Sequence, residues 1–473
     1  MNALLFLSPR AYGDAQRLDE EGARSGPRGP LHGIPVLLKD NVDTFDMPTT
    51  GGSFALAGMH PPRDAHLVTR LRDAGAVILG KTNMHELSFG ITTLSSVDGR
   101  TLNPYDLAAN PGGSSGGTAV ALAASFAAVG FGTDTCGSLR IPAAFNSLFT
   151  LRPTKGLVSA TGIIPLARSR DMAGPLARTA TDLALALDAI VGHDPDDPAT
   201  VILGEGVPYR FADALDAESL SGARIGVLRD FLTPSLIVEE VAALMDLSDP
   251  SGARTDPVAI ARRGAAQEEE IDAIVGHALA RMEALGAELV EIQLPGIDSL
   301  LDAAAVVIDH EFRRDLEGYL ARRPDAPFRT LDEIVARGFY HPSVEAQLLR
   351  RAGITSVHTE EYRRALVELE ALRAILLQLF NEERLDALAY PVMRRSAAPI
   401  GEAQWGTTCQ LSTSTGFPAL AMPAGFTQAG APVGMELLGA PLYDRRLVGM
   451  AFAFEQAGPT RRPPPTTPPL PQH

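Results

Sequence analysis

Two serine loops, separated by one helix and one strand, could do chemistry: Asn110-Pro-Gly-Gly-Ser-Ser-Gly-Gly117 and Thr135-Cys-Gly-Ser138. Glycines around serines open backbone conformations closed to residues with a Cβ. On a polar surface such a run would be a turn or linker. Here the first loop leads into a helix of Ala, Val and Leu. The second runs into Arg140-Ile-Pro142, where proline suits the first turn of a helix. Backbone N–H groups at a helix entry can hold a developing oxyanion, so the pair of loops points to acyl transfer. A serine nucleophile needs a base, and none of the ten histidines lies in a comparable loop; His85, His310 and His358 fall in helical patterns. Lysine can serve if burial lowers its pKa enough to supply neutral amine. Lys39 ends the apolar run Ile34-Pro-Val-Leu-Leu38, the end of a buried strand. Its alternative there is a structural ion pair with Asp40.

The elements that must position these residues read as α/β. Gly33–Leu38 is a strand, His66–Gly75 a helix closed by glycine, and Ala76–Leu79 the next strand. Gly117–Ala128 reads as a buried helix. Gly222–Leu228 is a further strand, and residues 245–270 read as a polar surface insertion. Glu268–Leu285 and Glu360–Phe380 are amphipathic helices that clothe the sheet. Leu385–Pro391, Ala419–Pro423 and Val433–Leu438 read as strands of the same sheet. The expected organisation is one domain over 1–460, with a variable helical region at about 235–385 and a proline-rich disordered tail at 461–473.

Composition narrows the function. The 473 residues carry a formal net charge of −16, which argues against nucleic acid and anionic membrane surfaces as partners. The longest apolar stretch, Ala119–Phe131, falls short of the roughly 20 residues needed to cross a bilayer. Two cysteines, Cys136 and Cys409, cannot make a disulfide framework, and nothing in the sequence supports a bond between them. A reducing, cytoplasmic setting is therefore expected. No metal cluster, phosphate loop or cofactor motif is found, so no cofactor and no metal are expected.

Gly33-Ile-Pro-Val-Leu-Leu-Lys-Asp-Asn41, Gly112-Gly-Ser-Ser-Gly-Gly117 and Gly132-Thr-Asp-Thr-Cys-Gly-Ser-Leu-Arg140 together resemble the amidase signature family. The spacings agree: 75 residues from Lys39 to Ser114 and 24 from Ser114 to Ser138. Leu151–Gly156, Asp171–Arg178 and Gly416–Pro423 extend the likeness, which spans roughly residues 25–205 and 385–445. It implies a single α/β domain with a mixed central sheet covered by helices on both faces. It implies an amidase acting on a small-molecule amide, with possible esters as a side activity, and it leaves a homodimer open. Ser138 would be the nucleophile and form an acyl-enzyme. Ser114 would relay protons to Lys39, with the Gly113–Ser114 peptide cis. Backbone N–H groups of Thr135, Cys136, Gly137 and Ser138 would form the oxyanion hole. Ser115, Asp134 and Arg140 would orient these residues or anchor their loops. The family carries several dozen more residues ahead of its lysine than the 38 here, and Leu4–Glu20 resembles the end of that region.

The rival within the family is the A-type amidotransferase chain, which releases ammonia for a tRNA-dependent partner. It carries an acid for the glutamine α-amino group where this chain has a position near Gly406. An α/β-hydrolase elbow at Gly112–Gly116 is excluded because a polar, proline-broken segment precedes it instead of a strand. A Rossmann loop at Gly130–Thr135 fails for want of its third glycine. A scaffold that has lost turnover is disfavoured because Lys39, Ser114 and Ser138 are all present.

Overall fold

The computed structural model describes residues 1–204, 209–228, 231 and 257–467. Its strands are β1 (Leu4–Leu7), β2 (Pro35–Lys39), β3 (Val77–Thr82), β4 (Leu94–Ser95), β5 (Gly99–Arg100), β6 (Val129–Asp134), β7 (Phe149–Arg152) and β8 (Met172–Ala177). They continue with β9 (Arg224–Leu228), β10 (Glu288–Ile292), β11 (Ala387–Pro391), β12 (Ala419–Phe426) and β13 (Pro432–Leu438). Strands β4 and β5 form a small hairpin. The other eleven form one sheet in the order β1-β3-β2-β6-β8-β7-β12-β13-β11-β9-β10. The sheet is mixed: β3, β2 and β6 run parallel, as do β11, β9 and β10, while the central pairings from β6 to β11 are antiparallel. This is the single α/β domain the sequence led us to expect.

Period-two alternation divides each strand between two cores. On β2, Val36 and Leu38 pack with Leu67, Val68 and Leu71 of the helix His66–Asp73 and with Leu183 and Leu187 of the helix Ala180–Ile190. Leu37 faces the other way, onto Val120 and Leu122 of the helix Gly116–Ala123. Lys39, two residues on from Leu37, therefore starts out toward the side that carries the serine loop. Every residue of Gly116–Ala123 is buried. It can lie this close because β6 presents glycine beneath it: a Cβ on Gly130 would stand 2.5 Å from Thr118 Cγ2, and one on Gly132 would stand 2.6 Å from Ser115 Oγ.

Two local expectations need correction. The buried helix stops at Ala123 rather than Ala128, because Ser125 turns the chain with a φ of +62°. The insertion read over 245–270 is helical from Pro257, in the helix Pro257–Ala284. Within it Glu268 is buried and takes Arg394 and Arg395 as partners, so its polar residues serve a long-range ion cluster. Residues 245–256 lie outside the described residues. The helix Glu360–Glu382 buries Ala365, Leu369, Leu372, Leu376 and Phe380 at the spacing its pattern calls for. The tail expected to be disordered over 461–473 is corrected too: residues 461–467 lie against the body, with Tyr105 donating to the Arg462 carbonyl and Thr466 to the Pro104 carbonyl, and 468–473 lie outside the described residues. Among the described residues no helix is long and apolar enough to cross a membrane.

Candidate active site

The end of β2 delivers Lys39, fully buried, to the first serine loop. Its Nζ lies 2.7 Å from Ser114 Oγ and 2.8 Å from Thr133 Oγ1, with Ser88 Oγ at 3.5 Å. No carboxylate is within ion-pair distance among the described residues, so the ion pair with Asp40 that the sequence left open is not formed. Asp40 turns instead to Lys81 on β3, at 3.6 Å. Burial pushes the Lys39 amine down to about 7, an effect that the negative charges of Asp171 and Asp134 only partly offset.

The Gly/Ser loop is wedged between other backbones. Gly112 has a φ of +77°, and a Cβ there would come within 2.7 Å of Pro142 Cα. The Gly113–Ser114 peptide is cis, as expected. His85 N–H donates to the Ser114 carbonyl, and Ser115 N–H donates to the Ser138 carbonyl at 3.1 Å, tying the two serine loops together. Ser138 is 5% exposed and Ser114 is fully buried. Among the described residues the Ser138 hydroxyl makes no hydrogen bond, so backbone alone joins the second serine to the first.

The loop Thr135–Ser138 is fastened at four points, from three segments of the chain. Thr135 Oγ1 donates to Asp171 Oδ1 at 2.5 Å, and Thr413 Oγ1 donates to the Thr135 carbonyl at 2.9 Å. Cys136 is disulfide-bonded to Cys409, which precedes the helix Gln410–Thr415. Gly137 N–H donates to Asp134 Oδ1 at 2.8 Å. Two expectations fall here. The cysteines are paired across 273 residues of sequence, because the segment ahead of β12 folds onto the loop after β6, where Thr413 donates to the Thr135 carbonyl and Arg140 to the Cys409 carbonyl. Their number therefore gives no argument for a reducing compartment. The Gly137 N–H, expected in the oxyanion hole, is turned inward to a carboxylate, which leaves the N–H groups of Thr135, Cys136 and Ser138.

Asp134 is the hub beneath this loop. It accepts from Gly137 N–H, Leu139 N–H and the Arg140 guanidinium, with Arg152 at 3.3 Å. Burial pushes its carboxyl up, but the two arginines outweigh burial and hold it at about 2. Arg140 also donates to Glu436 of β13 at 2.7 Å, and Tyr390 of β11 donates to the same oxygen. Thr133 and Asp171 were not singled out from the sequence. Both lie in segments noted for other residues; the pairing of β2 with β6 brings Thr133 to Lys39, and that of β6 with β8 brings Asp171 to Thr135.

A buried lysine with no carboxylate partner, against a serine in a glycine loop that backbone ties to a second glycine-serine loop, defines a class of hydrolytic site. The sequence profile of the amidase family matches residues 1–249 and 245–448. The chain belongs to the amidase family. It is 35% identical over 471 residues to the A-type chain of glutamyl-tRNA(Gln) amidotransferase from Moorella thermoacetica, covering 96% of this chain and 88% of that protein. The corresponding chain of the Methanosarcina mazei amidotransferase is 31% identical over 486 residues, covering 98% and 92%. Among solved structures, native peptide amidase from Stenotrophomonas maltophilia superposes with a TM-score of 0.84 at 34% identity, covering 98% of this chain and 90% of that one. An amidase family protein from Bacillus anthracis gives a TM-score of 0.79 at 30% identity, covering 98% and 84%. Family and structural neighbours together support hydrolysis of an amide.

Proposed function

We propose that the protein is a free-standing amidase that splits a carboxylic amide into acid and ammonia or an amine through an acyl-enzyme on Ser138. The observation that carries the reading is Lys39 Nζ at 2.7 Å from Ser114 Oγ, in a site dry enough to bring the amine down to about 7. Neutral Lys39 accepts the Ser114 proton as Ser114 takes the proton of Ser138, and Ser138 Oγ bonds to the amide carbon. The oxygen of the tetrahedral intermediate lies among the N–H groups of Thr135, Cys136 and Ser138. The C–N bond then breaks, and the leaving nitrogen recovers a proton along the same path. Water, activated by the same pair, hydrolyses the ester to Ser138. Esters fit the same chemistry as a side activity.

A fluorophosphonate tests this directly by phosphonylating the activated serine. Mass spectrometry should place the adduct on Ser138 and find none in Ser138→Ala. Folded wild-type protein that resists labelling would favour a scaffold that has lost turnover.

The curated relatives favour a second reading, ammonia release for a tRNA-dependent partner. The surroundings of Gly406 weigh against it. Position 406 offers no carboxylate to the ammonium of glutamine, and a Cβ there would meet only the Arg394 Cβ, the Arg395 Cγ and the Arg395 backbone nitrogen. Glutaminase activity together with co-purifying partner proteins would reverse the order.

A further inference from the structure

We infer that Asp171 is a positioning residue of the acyl-transfer site, pinning the oxyanion loop with one oxygen while its charge acts on the general base. This deepens the proposed mechanism and rests on it. Asp171 Oδ1 accepts from Thr135 Oγ1 at 2.5 Å, at the first residue of the loop that offers backbone donors. Its other oxygen accepts from Leu166 N–H at 2.8 Å and Ala167 N–H at 3.0 Å, so the carboxylate cannot rotate away. The turn that supplies those donors is itself held by the helix Ala303–Ala321. Asp315 accepts from Arg168 N–H at 2.7 Å and Glu311 from Ser169 N–H at 3.4 Å. A continuous hydrogen-bonded path thus runs from the helical region over the site, through Asp171, to the donors meant for the oxyanion.

The charge of the same carboxylate reaches Lys39 without contact. Of the charges acting on Lys39, Asp171 is the strongest stabiliser of the ammonium, ahead of Asp134. Asp134 is committed to Arg140 and Arg152, whereas the cation near Asp171 is Lys155, which spends its hydrogen bonds on the Arg168 and Asp171 carbonyls. The remaining titratable neighbour, His85, is buried and pushed down to about 3, so it stays neutral in the working range. Burial pushes the Asp171 carboxyl itself up to about 6, so it is largely ionised where Lys39 titrates at about 7, and its charge raises the pH at which Lys39 loses its proton.

Substitution separates the two effects. The readout is the second-order rate of Ser138 phosphonylation by a fluorophosphonate across pH, which needs no knowledge of the natural amide. Asp171→Asn removes the charge and one acceptor. The acid limb should move to lower pH by at least ~0.5 unit, with a lower limiting rate. Thr135→Val keeps the charge and removes the pin, so the limiting rate should drop about tenfold with the midpoint in place, an effect of ~1.4 kcal/mol. Thr135→Ser should restore most of that loss. An unmoved midpoint in folded Asp171→Asn, or a wild-type limiting rate in Thr135→Val, overturns the inference. Should Asp171→Asn not fold, the Thr135 pair decides. Failure of the wild type itself to label would strike the acyl-enzyme reading instead.

Discussion

Two lysines lie fully buried on neighbouring strands, and their surroundings differ in one respect. Lys81 on β3 has a carboxylate, Asp40, at 3.6 Å, together with Thr49 Oγ1 at 3.0 Å and the Pro48 carbonyl at 3.2 Å. Lys39 on β2 has the hydroxyls of Ser114 and Thr133 at close range and the Thr133 carbonyl at 3.5 Å, but no carboxylate partner among the described residues. Burial lowers the proton affinity of both amines. At Lys81 the adjacent charge compensates within an ion pair, and Asp40 in turn fastens the loop at Thr50 and Gly52. At Lys39 the compensation comes from carboxylates farther off, which leaves a base poised near neutrality. A paired buried lysine builds structure; an unpaired one beside a serine can move protons.

The contrast can be broken most forcefully at Lys39. Lys39→Met keeps the volume and should lower phosphonylation of Ser138 by at least about 10³-fold, ~4 kcal/mol of barrier, while the protein stays folded by circular dichroism. Loss of less than about tenfold would mean another base serves. Lys81→Met should do the reverse. It strands the Asp40 charge, costing about 3–5 kcal/mol of stability in urea titration. The rate per folded molecule should stay within about threefold. A smaller effect sharpens the picture in solution. Because burial lowers the Lys39 pKa to about 7, the reactive neutral amine gains as pH rises through that value. Activity should grow by about tenfold from pH 6 to pH 8 and then level off. A profile that peaks below about pH 6 would point to a carboxylate base.

How much could be read from the sequence depended on how far apart the partners lie along the chain. Lys39 at a strand end and Ser114 and Ser138 in glycine loops are signalled by their immediate neighbours. The strand and helix pattern around them also led to the right architecture. Cys136–Cys409, the Asp134 acceptor for Gly137 N–H and the Asp171 bond to Thr135 are absent from any local pattern. The last depends on β6 lying beside β8, and the first on a segment 273 residues away folding onto the loop; residue types alone specify neither. The Gly137 contact is only three residues long. It escapes a reading of the sequence because two buried arginines, one of them on β7, are what keep the buried Asp134 ionised to accept that N–H.

The bond between Cys136 and Cys409 closes a ring of chain that includes β7 to β11 and the helices between them. A protease cutting anywhere inside that ring would nick the molecule without releasing a piece. Both halves of the oxyanion loop's support would travel together on a non-reducing gel and part only when a thiol was added.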